Sequence, residues 1–352
     1  MYFWPLDMMT RKTSLKDIAQ AVGVSTTLVS YVLNNKKENR ISKEVAQKIR
    51  QAAQDLNYRP NQIAKSLKLN KTRTLGLIVA DIANPFSAAL ARVIEDEADR
   101  QNYTVIFGSS EESPEKFQKL TTTLLNRQVD GLLIAAPAGT ESQLAELQKQ
   151  AIPFVLIDRY FPALKTSYVA LDNAQAMYKA VRHLINSGYQ NIGLVSFNTS
   201  LFHICERGRG YRQALQEAKL PVRKSWQKEI NNAHIASEVS KAIQELVLGP
   251  KPVEAIVFAS NTLTIAGLKQ LKRLNKKVPT DLAVVGFDEA EAYELFETPL
   301  TYIKQPVQEI GELATQILLD VLNSNNRMIQ ANLEAALVIQ DSTRPVMTPV
   351  LL

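Results

Sequence analysis

Between Ser14 and Leu56 the apolar residues recur at helical spacing in three short bursts. Leu15, Ile18, Ala19 and Val22 form the first stripe. A Ser14/Asp17 capping-box pattern opens it, and Gly23 can take the left-handed conformation that closes it. Ser25 caps a second helix with Leu28, Val29, Val32 and Leu33 on one side, ended by Asn34-Asn35. Ser42 caps a third, whose inner face is Val45, Ile49, Ala53 and Leu56, stopped by Tyr58-Arg59-Pro60. Two helices joined by a short glycine-containing turn predict a helix-turn-helix. Asn61 to Lys68 predict one more short helix, and Asn70 to Arg73 a polar linker.

Beyond Arg73 the period changes. Near-continuous apolar runs at 74–80, 103–110, 130–136, 152–158, 168–172, 191–196, 255–260 and 282–288 are separated by amphipathic helical stretches. Strands without polar alternation are buried on both faces, which predicts parallel sheets covered by helices. Roughly nine strands exceed one comfortable sheet. The expected fold class is therefore an all-α helix-turn-helix head plus an α/β core of two doubly wound parallel-sheet subdomains with a cleft between them. The tail after Asp341 is Pro-rich and expected to be extended.

Charge sharpens this division. Residues 1–73 carry 14 Lys+Arg against 5 Asp+Glu, whereas the remainder carries 27 against 30. A compact basic head on a slightly acidic body points to a polyanion partner for the head. Cys205 is the one cysteine, and His183, His203 and His234 show no ligand spacing, so neither a disulfide framework nor a metal site is expected. That usage fits a reducing cytoplasm. The apolar start MYFWPLDMM lacks a basic lead and is too short for a signal-peptide core. No apolar run approaches the ~18 residues of a membrane span.

On the second helix, Thr26, Thr27, Ser30 and Tyr31 lie opposite the apolar stripe, flanked by Ser25 and Asn34. Hydroxyls there can reach base edges or phosphates in a major groove; the bland alternative is a solvated polar face. In the linker helix, Leu67 between Lys65 and Lys68 suits a minor-groove wedge with phosphate anchors, and Asn61 completes the set; the alternative is a leucine packed on the core. In the core, ligands of open parallel sheets bind beyond the carboxyl ends of the strands. Asn84 and Phe86 follow the first strand, Asp158 the fourth, Asn261 the FAS run, Asp288 the VVGFD run and Gln305 the TYIKQ run. Arg207 is expected to open a helix after the strand at 191–196. Carboxylates, amides and one guanidinium at one edge suit a hydroxyl-rich ligand. Singly, each of these residues can equally be a helix cap or turn residue. Motifs for dinucleotide, P-loop, nucleophile-elbow or zincin chemistry are missing, so neither an enzyme nor a cofactor is expected.

These segments resemble the lactose-repressor family, helix-turn-helix regulators joined to a core like periplasmic sugar-binding proteins. The head matches as SLKDIAQAVGVSTTLVSYVLN and ISKEVAQKIRQAAQDLNYRPNQIAKSLK. The core matches as LGLIVADIANPF, RQVDGLLI, PFVLIDR, GYQNIGLVS, RGRGYRQAL, VVGFDE and PLTYIKQP. The resemblance implies base contacts from Thr26, Thr27 and Tyr31, and insertion of Leu67 into the minor groove. It also implies effector contacts near Phe86, Asp158, Arg207, Asn261, Asp288 and Gln305. The family usually has Thr at Leu28 and Arg at Tyr31, so a bidentate guanine contact is lost and the operator is this chain's own. Where the family often has Asp, this chain has Thr262.

The expected organisation is a DNA-binding domain over 13–60, a hinge helix and linker over 61–73, and an effector-binding and dimerisation core over 74–345. The expected partners are a pseudo-palindromic double-stranded operator, a sugar effector and a second copy of the chain, with no membrane. The competing readings are a solute-binding protein with a basic extension and an α/β enzyme.

Overall fold

Ser25 and Ser42 each accept a hydrogen bond from the backbone N–H three residues on, at 3.2 and 3.3 Å. The Asp17 carboxylate accepts from both the N–H and the hydroxyl of Ser14 at 2.7 Å. Three helices follow these caps: α1 (Leu15–Val22), α2 (Thr26–Leu33) and α3 (Lys43–Asp55). Gly23 ends α1 at φ 73°, the left-handed region where a side chain is strained. Ile18, Ala19, Val29, Val32, Ile49 and Ala53 are buried together between the three helices. Leu56 does not join them. The third helix stops at Asp55, so Leu56 becomes its capping residue and stays exposed.

The structure is a computed structural model and describes residues 13–36, 40–59, 71–325 and 327–344. The predicted linker helix, with Asn61, Lys65, Leu67 and Lys68, lies outside the described residues, as does the tail from 345. The chain divides between Asn70 and Lys71 into two compact units.

In the second unit two six-stranded sheets repeat one plan. The first lobe contains β1 (Thr74–Val79), α4 (Pro85–Arg100), β2 (Thr104–Ser109), α5 (Pro114–Asn126), β3 (Gly131–Ile134), α6 (Glu141–Lys149), β4 (Phe154–Ile157) and β5 (Tyr168–Leu171). The second contains α7 (Asn173–Asn186), β6 (Ile192–Phe197), α8 (Phe202–Glu217), β7 (Gln227–Ile230), α9 (Ile235–Leu248), β8 (Ala255–Phe258), α10 (Asn261–Arg273), β9 (Ala283–Phe287) and β10 (Thr301–Lys304). The chain then returns through α11 (Val307–Leu322) and β11 (Gln330–Leu333) to the first lobe, and ends with β12 (Ala336–Val338) in the second.

Strand orders are β11-β5-β4-β3-β1-β2 and β12-β10-β9-β8-β6-β7. All pairings are parallel except β10 with β12. Central strands are buried on both faces, as their unbroken apolar runs require. In the first lobe, α4 and α11 supply Leu90, Ile94, Ile310, Ala314 and Leu318 to one side of the sheet. On the other side α5 and α6 supply Phe117, Leu124, Leu144 and Leu147. The second lobe is covered in the same way by α9 and α10 on one face and α7 and α8 on the other.

Candidate ligand cleft and nucleic-acid interface

The two lobes place an aspartate at the same point. Asp158 follows β4 and Asp288 follows β9, strands with the same rank in the two sheets. Both have left-handed backbones, φ 63° and 65°, a conformation aspartate tolerates better than most residues.

Arg207 is close enough to both to feel their charge. It does not open its helix: α8 starts at Phe202, so Arg207 sits further along and reaches inward. Its Nε donates to Asn173 Oδ1 at 2.7 Å and its Nη1 to the Ala259 carbonyl at 2.6 Å. The guanidinium lies over the Phe287 ring, 3.6 Å from its centroid. Gln305 donates to Asp288 at 2.6 Å. Across the cleft, Asn261 of the second lobe donates to Asn84 of the first at 2.8 Å. Asn84 is also the cap of α4, accepting from the Phe86 N–H at 3.0 Å. Phe86, Asp288 and Gln305 also line a cavity of about 1200 Å³ between α4 and the 288–300 segment, which Asp158, Arg207 and Asn261 do not line.

The predicted residues thus come together, but not as open, solvated groups. Asp158, Arg207, Asn261 and Asp288 are only 8, 3, 1 and 6% exposed. They are buried because Asn84 and Asn261 bridge the lobes and the second-lobe residues bond one another. Burial pushes both aspartates above the usual carboxylate range, against the pull of Arg159 and Arg207 on Asp158 and of Arg207 and Gln305 on Asp288. Burial also pushes Arg207 down to about 10, opposed by Asp288 and Asp158.

Three further side chains belong to the cleft. Arg159 makes a bidentate pair with Glu112, both bonds 2.7 Å, while its Nε lies 3.4 Å from Asp158. His203, one turn before Arg207 on α8, is buried and held well below the usual imidazole range by burial and by the charges of Arg159 and Arg207. Arg159 was legible as the residue after Asp158. Glu112 and His203 carried no sequence signal, since their roles depend on loops that meet only in the fold. Among the described residues, five buried side-chain N or O atoms lack a hydrogen-bond partner. Three of them, Gln305 Oε1, His203 Nδ1 and Arg159 Nε, are here.

In the first unit, Thr26 and Thr27 are exposed at the start of α2, and Ser30 and Tyr31 are half-buried on the same side. Ser25 and Asn34 are spoken for structurally, Ser25 as the helix cap and Asn34 by donating to the Ser30 carbonyl at 2.8 Å.

Known proteins match both units. Residues 14–61 fit the family described as bacterial regulatory proteins, lacI family. Residues 72–337 fit periplasmic binding proteins and the sugar binding domain of the LacI family. The chain is 30% identical over 332 residues to the ribose operon repressor of Haemophilus influenzae, covering 94% of this chain and 98% of that one. It is 33% identical over 309 residues to the transcriptional repressor PurR of Vibrio parahaemolyticus, covering 87 and 91%. A crystal structure of the lac repressor dimer bound to operator and the anti-inducer ONPF superposes with a TM-score of 0.84 at 21% identity, over 95% of this chain and 100% of that one. Among the described residues no helix is long and apolar enough to cross a membrane. A helix-turn-helix head followed by a two-lobed sugar-binding core is the arrangement of DNA-binding transcriptional repressors, and this chain belongs to the LacI family.

Proposed function

We propose that the cleft binds a neutral, hydroxyl-rich effector, a sugar, and that its occupancy sets the affinity of a homodimer for a pseudo-palindromic operator. The observation that carries this is the pair of buried aspartates at equivalent strand ends, both close enough to Arg207 to feel its charge. Asp158, Asp288 and the unpartnered Gln305 Oε1 are acceptors and the unpartnered Arg159 Nε is a donor, so a group that both donates and accepts, such as a hydroxyl, suits the cleft. Counting Glu112, the cleft holds three carboxylates against two guanidiniums, which disfavours an anionic ligand. Phe86, Asp158, Arg207, Asn261, Asp288 and Gln305 are assigned to the effector, with Asn84 as the bridge that the effector replaces.

On the DNA side, Thr26, Thr27, Ser30 and Tyr31 read bases. Ser25, Asn34, Asn61, Lys65 and Lys68 position the backbone, and Leu67 enters the minor groove. The second copy pairs through β2, an edge strand with Ile106 and Phe107 exposed, and through Leu295, which is 89% exposed.

The test is a thermal-shift panel of D-ribose, D-xylose, D-glucose, D-galactose and maltose, followed by gel shifts on a duplex enriched from a random library. A sugar that binds only the folded protein raises its melting temperature, and the same sugar should change the duplex affinity. Selection of no sequence from the library, or a sugar that binds without altering duplex affinity, would overturn the reading.

A further inference from the structure

The effector residue Gln305 and the point where the chain leaves the core for the head are the two ends of one helix. Gln305 follows β10 directly, and its carbonyl accepts from the Val307 N–H at 2.9 Å, so it is fused to the first turn of α11. Its side chain grips Asp288 through Nε2 and leaves Oε1 buried and unpartnered. From there α11 runs 16 residues, about 24 Å at ~1.5 Å per residue. It is packed too tightly to slide: a Cβ on Gly311 would meet Val93 of α4 at 2.5 Å, and one on Gly131 would meet Leu318 at 2.8 Å.

At the far end, Lys71 holds the helix. Its ammonium donates to the Leu322 carbonyl at 3.1 Å and to Asn323 Oδ1 at 3.0 Å. A cation on the last carbonyls of a helix satisfies free acceptors and opposes the negative end of the dipole. The next two residues are fixed as well. The Asp130 carboxylate accepts from the Thr72 N–H and hydroxyl at 2.8 Å each and from the Arg73 N–H at 2.9 Å. Asp130 adjoins Gly131, the residue Leu318 covers. Lys71 is therefore tied to the C-terminal end of α11, and Thr72 and Arg73 are tied to Asp130, next to the residue that Leu318 of α11 covers.

We propose that α11 is the strut through which the cleft acts on the DNA-binding head, and that Lys71 is the positioning residue at its far end. The proposal rests on the effector assignment of Gln305 above. A shift of Gln305 that accompanies filling of the cleft moves α11 together with α4 and β3, which are packed against it, and Lys71 carries that movement to the chain entering the hinge segment. Lys71 touches neither effector nor bases; it sets where the hinge begins.

The experiment uses the full chain with Lys71→Met, Lys71→Arg and Asn323→Ala. Affinity is measured for the enriched duplex and for a random-sequence duplex of equal length, with and without the panel sugar that most raises the melting temperature of the unmodified protein. The expected result is that Lys71→Met and Asn323→Ala leave the melting temperature and its sugar-induced rise unchanged. Both variants lower the enriched-to-random affinity ratio by about fivefold or more and shrink its response to the sugar. Lys71→Arg, which still donates to the helix end, restores the ratio. A loss equal on both duplexes makes Lys71 a phosphate contact and overturns the proposal, as does an unchanged ratio in Asn323→Ala. The duplex comparison needs no sugar, so a panel in which none binds removes the effector reading and the strut that rests on it, while the ratio still decides whether Lys71 positions the hinge.

Discussion

Arg207, proposed to contact the effector, also holds the fold. Its guanidinium satisfies Asn173 Oδ1 and the Ala259 carbonyl and stands beside Asp288 and Asp158. Arg207→Ala would leave the buried Asn173 Oδ1 and Ala259 carbonyl without this donor and take a counter-charge from Asp288 and Asp158. Breaking a buried charge network in this way costs about 3–5 kcal/mol, so the variant should show a depressed urea midpoint as well as lost sugar binding. A variant of normal stability would show that water replaces the side chain. Asp158 is the opposite case. Its folded pKa is raised above the ordinary 3.8 chiefly by burial, so its contribution to stability is present below that value and lost as pH rises through the folded pKa. At neutral pH the charged form is a cost. Asp158→Asn should therefore raise the melting temperature at pH 7, with the gain shrinking toward pH 4, while sugar affinity falls. The Arg159–Glu112 pair is untouched by this change. A variant destabilised at pH 7 with unaltered sugar affinity would reverse the assignment and make Asp158 a structural group.

At the scale of elements, packing distinguishes the two glycines of Gly208-Arg-Gly210. A Cβ on Gly210 would press into the Ala174 carbonyl oxygen and lie 3.0 Å from the Tyr178 backbone nitrogen of α7, so the glycine lets α7 and α8 touch. Gly210→Ala should destabilise the full chain beyond the ~1–3 kcal/mol of ordinary overpacking, because backbone cannot yield as a side chain does. Gly208→Ala meets only the flexible end of Arg212 and should be tolerated; equal urea midpoints for the two would refute the close approach. The same distinction governs what was legible in the sequence. Helix caps and doubly buried strands carry local signals, and Ser25, Ser42 and the runs at β3, β4, β8 and β9 were readable for that reason. β7 reads Gln-Lys-Glu-Ile, and β11 and β12 are short and half-exposed; they are strands because a sheet edge was waiting for them. The cleft residues were found by their place after strands. Their burial, and the shares of Glu112 and His203, depended on how two lobes close, which no single segment encodes.

For the whole molecule, charge and exposed apolar surface are kept apart. Residues 1–73 hold a large excess of positive charge, while the core is slightly acidic, so phosphate contacts belong to the head and the core is free to associate. Phe107 is 59% exposed on the edge strand β2 beside Ile106, a position that a monomer would have reason to protect. In the proposed two-fold dimer each copy covers that edge of the other, and two heads are held at high effective concentration over two half-sites. The logarithm of DNA affinity falls with the logarithm of salt in proportion to the number of phosphates neutralised. Phe107→Glu buries a charge at the pairing edge and should yield monomers in sedimentation, with the melting temperature of the core changed little because the residue faces solvent within one copy. Each monomer then brings one head to the duplex. Its affinity for the enriched site should drop steeply, and the slope of affinity against salt should fall to about half that of the unmodified protein. The slope decides the matter, because a merely misfolded variant loses affinity without a defined halving. A Phe107→Glu protein that stays dimeric would remove β2 from the interface, and a monomer that keeps the full salt slope would show that one head already makes all the phosphate contacts.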